Sequence, residues 1–205
     1  MSRAPGRDRE RIAEEAARIV VEEALTDYRL AKQKAAERLG FGGQAPLPSN
    51  ADLQEAVIRY QRLFGGRDYA QRLQQMRRTA LQAMRLFADF QPRLVGAVAS
   101  GATTDAHEVQ LHCFADKPEL IDVQLESRGL RFEVDQRRYR YGDGSNADIP
   151  VLHFDAGGIG VAIAVFPASE LRRPPLSPVD GQPTQRLTIP EVEALARQTP
   201  DVIAG

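Results

Sequence analysis

The stretch that most constrains the fold is residues 92–116, where two apolar segments flank a short polar connection. Residues 94–99 are apolar or small throughout, which predicts a buried strand. The Ser100-Gly101 pair predicts a turn, and a second strand is predicted over residues 108–114. We therefore expect a sheet that contains this pair of strands, with the rest of the chain organised around it.

The other segments predict helices before this stretch and mostly strands after it. Apolar spacing and capping residues predict helices over residues 7–25, 28–39, 49–64, 67–90, 116–129 and 191–197. Strands are predicted over residues 130–141, 149–155 and 160–166. The first of these is highly charged, as expected for an edge strand, and the last is apolar nearly throughout, as expected for a central strand.

This pattern predicts an α/β protein with an N-terminal helical region and a small mixed sheet. We expect the helical region to span residues 1–66, the sheet domain residues 67–178, and an extended tail with a short C-terminal helix residues 179–205.

Composition excludes several classes of protein. A net charge of −1 gives no overall field that points to nucleic acid or a membrane. The single cysteine, Cys113, excludes an internal disulfide and a cysteine-rich zinc site, and its apolar strand predicts a buried thiol. The chain has no apolar run of about 18 residues and no secretory signal at its N-terminus, so we expect a cytoplasmic protein with no membrane partner.

The order of strand, Ser100-Gly101 turn, polar segment and strand with polar residues at alternate positions resembles the nucleotidyltransferase fold of DNA polymerase beta-type enzymes. The resemblance implies a sheet in which two acids, two residues apart on one strand, hold two Mg²⁺ ions with a third acid from a neighbouring strand. It also implies a turn whose backbone N–H groups and hydroxyl contact phosphates.

The sequence departs from this pattern at the catalytic positions. The turn reads Ser100-Gly101 rather than Gly-Ser, although Gly96 is also small, and the paired positions are Glu108 and Gln110. A neutral amide is a weak ligand for Mg²⁺. The strand over residues 160–166 offers no acid, and Asp155 borders a turn. The usual catalysis is therefore predicted to be lost.

Other chemistry is less well supported. The polar residues Asp105, His107, Glu108, His112 and His153 match no specific metal-ligand spacing, so we predict no metal site. Ser100 lacks the G-x-S-x-G context of a hydrolase nucleophile, and the chain has no phosphate-binding P-loop. No catalytic residue and no cofactor is assigned, apart from Mg²⁺ if the protein is an active transferase. The predicted ligand-binding residues are Ser100, Gly101, Asp105, Glu108, Gln110 and His112.

A second resemblance covers about a quarter of the chain. Residues 28–40, 109–112 and 176–181 are similar to those of a proteobacterial family of about this length. This resemblance indicates a family better than it indicates a reaction.

Three functions remain open from the sequence. The first is a diverged, non-catalytic nucleotidyltransferase-like protein that binds a nucleotide, RNA or a protein partner, the last through its N-terminal helices. The second is an active transferase in which Asp105 or Asp155 supplies the missing acids. The third is a DNA-binding regulator that uses the basic second helix, with Arg29, Lys32 and Lys34, although a helical hairpin with a solvated basic face is the favoured explanation of that pattern.

Overall fold

The structure is a computed structural model, and it describes residues 5–43 and 45–198. Its α-helices are α1 (Pro5–Glu22), α2 (Tyr28–Arg38), α3 (Asn50–Phe64), α4 (Gly66–Leu86), α5 (Gly96–Ser100), α6 (Glu119–Ser127) and α7 (Ile189–Arg197). Its strands are β1 (Arg93–Val95), β2 (Val109–Phe114), β3 (Phe132–Arg140), β4 (Asn146–Asp155) and β5 (Gly160–Phe166).

Helices α1 to α3 form a bundle around their own apolar core. The Asp27 carboxylate begins α2 by accepting hydrogen bonds from the backbone N–H groups of Arg29 (2.8 Å) and Leu30 (3.1 Å). Ser49 and Asp52 form a reciprocal capping box at the start of α3. The buried side chains that fill this core include Ile12, Ile19, Val20, Leu53 and Val57.

The sheet has the strand order β1-β2-β5-β4-β3. Strands β2 and β5 run parallel, and every other neighbouring pair is antiparallel. Helix α6 and the β3–β4 hairpin lie between β2 and β5 in the chain. Side chains of α4, α6 and α7 cover one face of the sheet, where the core includes Met76, Met84, Phe87, Ile121, Leu125 and Val192.

The other face of the sheet carries a smaller apolar cluster and the polar residues of β2. Phe114, Val151, Ala164 and Phe166 are buried there. Tyr139 of β3 packs onto this face, with its ring centroid 5.0 Å from that of Phe166. The C-terminal end of β3 therefore lies close to β2, although the two strands are not neighbours in the sheet.

The prediction of a strand over residues 94–99 is wrong beyond Val95. Gly96 has a φ of +72°, which takes the backbone out of the strand, and residues 96–100 form the short helix α5. The backbone N–H of Gly101 donates to the Ala97 carbonyl (2.7 Å), and Gly101 ends this helix with a φ of +90°. Helix α4 also ends earlier than predicted, at Leu86, because the chain continues as a 3-10 turn over Ala88–Phe90.

Most of the predicted architecture is confirmed. The protein is α/β with a mixed sheet, β3 is an edge strand, and β5 lies between β2 and β4 with its apolar side chains buried. Cys113 is buried. In the predicted tail, Leu187 pairs with Leu94 of β1 and Val192 lies in the main core, so residues 187–192 pack with the sheet domain. Over the described residues, no helix has the length and apolarity needed to cross a bilayer.

Candidate functional site

A pocket of about 490 Å³ lies where β1, α5, β2 and the end of β3 meet. We call it the β2 pocket. Gln110 and His112 of β2 line it together with Gly96 and Ser100, and Arg137 lines it from β3. The remaining wall comes from the segment between β5 and α7, with Leu176, Ser177, Pro178, Val179, Asp180, Pro183, Thr184 and Gln185.

Gly96 brings the backbone close to Gln110. A Cβ atom at Gly96 would lie 2.6 Å from the Oε1 atom of Gln110, and the φ of +72° disfavours any other residue. The absence of a side chain at Gly96 therefore lets the Gln110 amide occupy the start of α5. Because residue 110 of β2 pairs with Val95 at the end of β1, this arrangement follows from the register of the two strands.

His112 is the buried polar residue of the site, with only 3% of its surface exposed. Its Nδ1 accepts a hydrogen bond from the Nε–H of Arg186 (3.2 Å), so the neutral ring carries its proton on Nε2. Burial lowers the pKa of His112 to about 3, and the nearby charges of Arg186 and Arg137 contribute. His112 is therefore a neutral hydrogen-bonding group at physiological pH.

Arg186 connects the segment after β5 to the sheet. Its Nη1 donates to the carbonyl oxygens of Glu170 (2.9 Å) and Leu171 (3.2 Å). Its guanidinium carbon lies 4.8 Å from the ring centroid of Phe114, and its Nη2 is buried without a hydrogen-bond partner among the described residues. Burial lowers the pKa of Arg186 to about 10, which leaves it charged at neutral pH.

The lining of the β2 pocket is basic. It contains Arg137, Arg138 and Arg140 from β3, and Asp180 is the acid that lines it. The Asp180 carboxylate accepts a hydrogen bond from the backbone N–H of Gln182 (3.0 Å), which holds it in a turn. Arginine side chains bind phosphate and carboxylate groups, so the lining suits an anion better than a cation.

The structure brings together three of the residues predicted from the sequence. Gln110 and His112 lie two residues apart on β2 and so share the face predicted for them, whereas Glu108 directly precedes the strand. Gln110 and His112 line the β2 pocket, and Ser100 lines it from the end of α5. The Ser100 hydroxyl donates to the Ala97 carbonyl (3.2 Å) and accepts from the Ala102 N–H (3.3 Å), so local backbone groups already use it.

The other predicted residues lie outside the lining of this pocket. Gly101 is buried, and its carbonyl accepts a hydrogen bond from the Tyr69 hydroxyl (2.8 Å). Asp105 is largely exposed and pairs with Arg72 (2.9 Å). Glu108 lies 3.3 Å from Nδ1 of His153. Gly96, rather than the Ser100-Gly101 turn, is the backbone position that lies directly beside Gln110.

Two of the three positions that would hold metal ions are not acidic, and Glu108 is the third. Gln110 pairs with Ala162 of β5, and the next pairs along the same face are His112 with Ala164 and Val151. The Asp155 carboxylate accepts a hydrogen bond from the backbone N–H of Gly158 (3.0 Å), so it stabilises the β4–β5 turn. Over residues 5–43 and 45–198, no group of three His, Cys, Asp or Glu side chains is placed to hold a metal ion.

The basic residues of α2 mostly contact other parts of the chain. Lys32 donates to the Pro48 carbonyl (3.0 Å) and to Asn50 (2.8 Å). Lys34 and Arg38 both form ion pairs with Glu23 of the segment between α1 and α2. These contacts hold the helical bundle together and leave fewer charges for a DNA backbone.

Sequence reasoning missed Arg137, Tyr139 and Arg186. The alternation in β3 predicted an exposed strand, and nothing in it indicated that Tyr139 would pack against His112. Within the 176–181 stretch singled out in the sequence, residues 176–180 line the pocket.

Comparison with known proteins gives no further assignment. No protein-family model, no curated protein and no solved structure that was compared with this chain matches it.

Proposed function

We propose that this protein is a diverged, non-catalytic member of the nucleotidyltransferase type that binds a nucleotide in the β2 pocket without a divalent metal ion. Two features support the nucleotidyltransferase type. Glu108 directly precedes β2 and Gln110 lies on it beside the Gly96 turn, and β5, the strand where a third acid is expected, runs next to β2.

One observation carries the proposal: Gln110, at a position where an acid would hold Mg²⁺, lines a pocket bordered by arginines, and its neighbour on β5 is Ala162. An active transferase neutralises phosphate oxygens with Mg²⁺ that carboxylates hold. Here two of the three carboxylates are replaced, by the Gln110 amide and the Ala162 methyl group, and the positive charge around the pocket comes from side chains. Phosphate groups therefore have binding partners in the pocket, whereas two Mg²⁺ ions do not.

The size and the wall of the pocket favour a nucleotide over a simple anion. A volume of about 490 Å³ lies within the range of small-molecule sites. Leu176 and Val179 give one wall an apolar surface that a base can contact, and the Gln110 amide can hydrogen-bond to it. Arg137 lies on the same sheet face as His112 and is the phosphate-binding residue that we expect to matter most.

The test is calorimetric titration of ATP, GTP, CTP and UTP into the full chain, in EDTA and then in Mg²⁺. We expect at least one nucleotide to bind equally well in both, with no release of pyrophosphate. Arg137→Gln should weaken binding about tenfold, because it removes a charge-assisted hydrogen bond. The matched control is Arg128→Gln at the exposed end of α6, which should bind as the wild type does.

Other outcomes contradict the proposal in distinct ways. Binding that requires Mg²⁺, is lost in Glu108→Ala and is accompanied by turnover identifies an active transferase. Binding of an RNA oligonucleotide without binding of any single nucleotide identifies an RNA-binding protein. Salt-sensitive binding to DNA that charge reversal at Arg29 abolishes identifies the regulator.

A further inference from the structure

A second cavity, of about 460 Å³, lies among α3, α4, α5 and α7. We call it the Arg77 cavity. Ala99 and Ser100 line both this cavity and the β2 pocket, so the end of α5 separates the two. Arg77 of α4 and Arg62 of α3 also line it, and no Asp or Glu side chain of the described residues does.

Arg77 is a buried cation, with 7% of its surface exposed. Its Nε donates to the Val98 carbonyl (3.3 Å), and no other hydrogen bond or ion pair of Arg77 is formed with the residues that the structure describes. A guanidinium carries five N–H donors, so most of the donors of Arg77 are unused. Burial without a carboxylate partner is costly, and it also lowers the pKa of Arg77.

The terminal nitrogens of Arg77 lie at the wall of the cavity. Nη2 is 3.8 Å from the position that a Cβ atom would take on Gly101, which also lines the cavity. The Tyr69 hydroxyl donates its proton to the Gly101 carbonyl (2.8 Å), and burial raises the pKa of Tyr69, so it supplies no negative charge to the arginine. Arg62 is exposed and has no ion pair within the described ranges, so it adds a second positive charge at the entrance.

We propose that the Arg77 cavity is a binding site for a small free phosphate-type anion, separate from the nucleotide site in the β2 pocket. A phosphate provides several acceptor oxygens for the unused donors of Arg77 and compensates its buried charge. Bidentate pairing with a planar guanidinium gives this site a preference for phosphate over chloride. The Gln198 amide at the end of α7 is a further donor for the bound anion.

The experiment is calorimetric titration of inorganic phosphate into the full chain at constant ionic strength. We expect saturable binding to the wild type, about tenfold weaker binding to Arg62→Gln, and no measurable binding to Arg77→Gln. Arg78→Gln is the matched control, because Arg78 is the next residue of α4 and is exposed. Circular dichroism checks that each variant is folded, and Arg62→Gln tests the site if Arg77→Gln does not fold.

The proposal is overturned if the wild type does not bind phosphate, or if Arg62→Gln and Arg78→Gln bind it equally well. A further variant, Asp201→Asn, tests whether a carboxylate of the chain itself takes the place of the anion. Phosphate binding that appears only in Asp201→Asn also overturns the proposal of a free anion. Arg137 lines the β2 pocket and not the Arg77 cavity, so Arg137→Gln should still bind inorganic phosphate. Failure of the nucleotide proposal can therefore be distinguished from failure of the phosphate proposal.

Discussion

Arg186 donates its Nε–H to Nδ1 of His112 across 3.2 Å, joining the segment after β5 to the floor of the β2 pocket. The same guanidinium donates to the Glu170 and Leu171 carbonyls. A buried neutral histidine and a partly buried arginine thus fix the position of the wall formed by residues 176–185 relative to β2. The geometry of the pocket depends on this pair, although Arg186 is not among its lining residues.

The first prediction concerns the pH dependence of stability. His112 has a pKa of about 3 in the folded protein and an ordinary value of 6.5 when unfolded. Between these values the unfolded chain takes up a proton that the folded protein does not, so the free energy of unfolding falls as the pH falls below 6.5. The contribution of His112 to the free energy of unfolding should therefore be about 2 kcal/mol smaller at pH 5 than at pH 7.

Urea unfolding of the wild type and of His112→Gln at both pH values measures this effect. A glutamine does not titrate, and its Oε1 atom can accept the hydrogen bond from Arg186. We expect His112→Gln to lose about 2 kcal/mol less than the wild type between pH 7 and pH 5. Equal losses in the two proteins would show that His112 is protonated in the fold well above pH 3.

The second prediction concerns Arg186 itself. Arg186→Leu keeps an apolar contact with Phe114 but leaves the carbonyls of Glu170 and Leu171 without their donor. We expect a loss of about 2 kcal/mol in the free energy of unfolding. The pKa of His112 should rise in this variant yet stay below its usual range, because burial is the larger cause of its shift.

Chemical denaturation measures the loss of stability, and the Cε1–H resonance of His112 reports its titration. Arg172→Leu is the control, since Arg172 is exposed in the adjacent 3-10 turn and should change stability by less than about 0.5 kcal/mol. Equal stability of Arg186→Leu and Arg172→Leu would contradict this prediction, because Arg186 would then contribute no more to stability than a surface arginine does.

The third prediction separates backbone strain from pocket geometry at Gly96. Gly96 and Gly129 both have positive φ, at +72° and +67°, but only Gly96 has another side chain within 4 Å of a new Cβ. Each change to alanine should cost about 1–2 kcal/mol of stability through the left-handed backbone. The Gln110 amide can rotate away from a new Cβ, so the contact itself should add little to this cost.

Nucleotide binding should distinguish the two variants. Gly96→Ala displaces the Gln110 amide from the start of α5 and should weaken binding in the β2 pocket, whereas Gly129→Ala should leave it unchanged. Calorimetry on both folded variants measures the difference. Equal affinities would mean that Gln110 does not contact the ligand.

The sequence predicts the local elements well because their signals are local. The capping residues Asp27 and Ser49 begin the helices that they predict, and the charged and apolar patterns of β3 and β5 correctly indicate an edge strand and a central strand. The strand prediction beyond Val95 fails because a run of small apolar residues suits a buried helical turn as well as a strand, and the φ of Gly96 decides between them.

Only some of the residues that form the β2 pocket and fix its shape could be predicted from the sequence. Alternation along β2 places Gln110 and His112 on one face, and this holds whatever the rest of the chain does. The partners Tyr139 and Arg186 come from segments 27 and 74 residues away from His112, and only the curling of β3 and the path after β5 bring them near. A single sequence carries no signal for such long-range contacts, so the basic character of the site was not expected.

The fourth prediction concerns metal binding by a second carboxylate, placed beside Glu108 at the position of Gln110. Gln110→Asp puts a carboxylate two residues from Glu108 on the same face of β2, so both can approach one divalent ion. We expect Mn²⁺ to raise the thermal midpoint of Gln110→Asp measurably and to leave the wild type unchanged. Gln136→Asp on the exposed strand β3 is the control for added charge, and it should not respond to Mn²⁺. If the wild type responds as strongly as Gln110→Asp does, Glu108 already belongs to a metal site, and the replacement of acids by Gln110 and Ala162 does not prevent a divalent ion from binding.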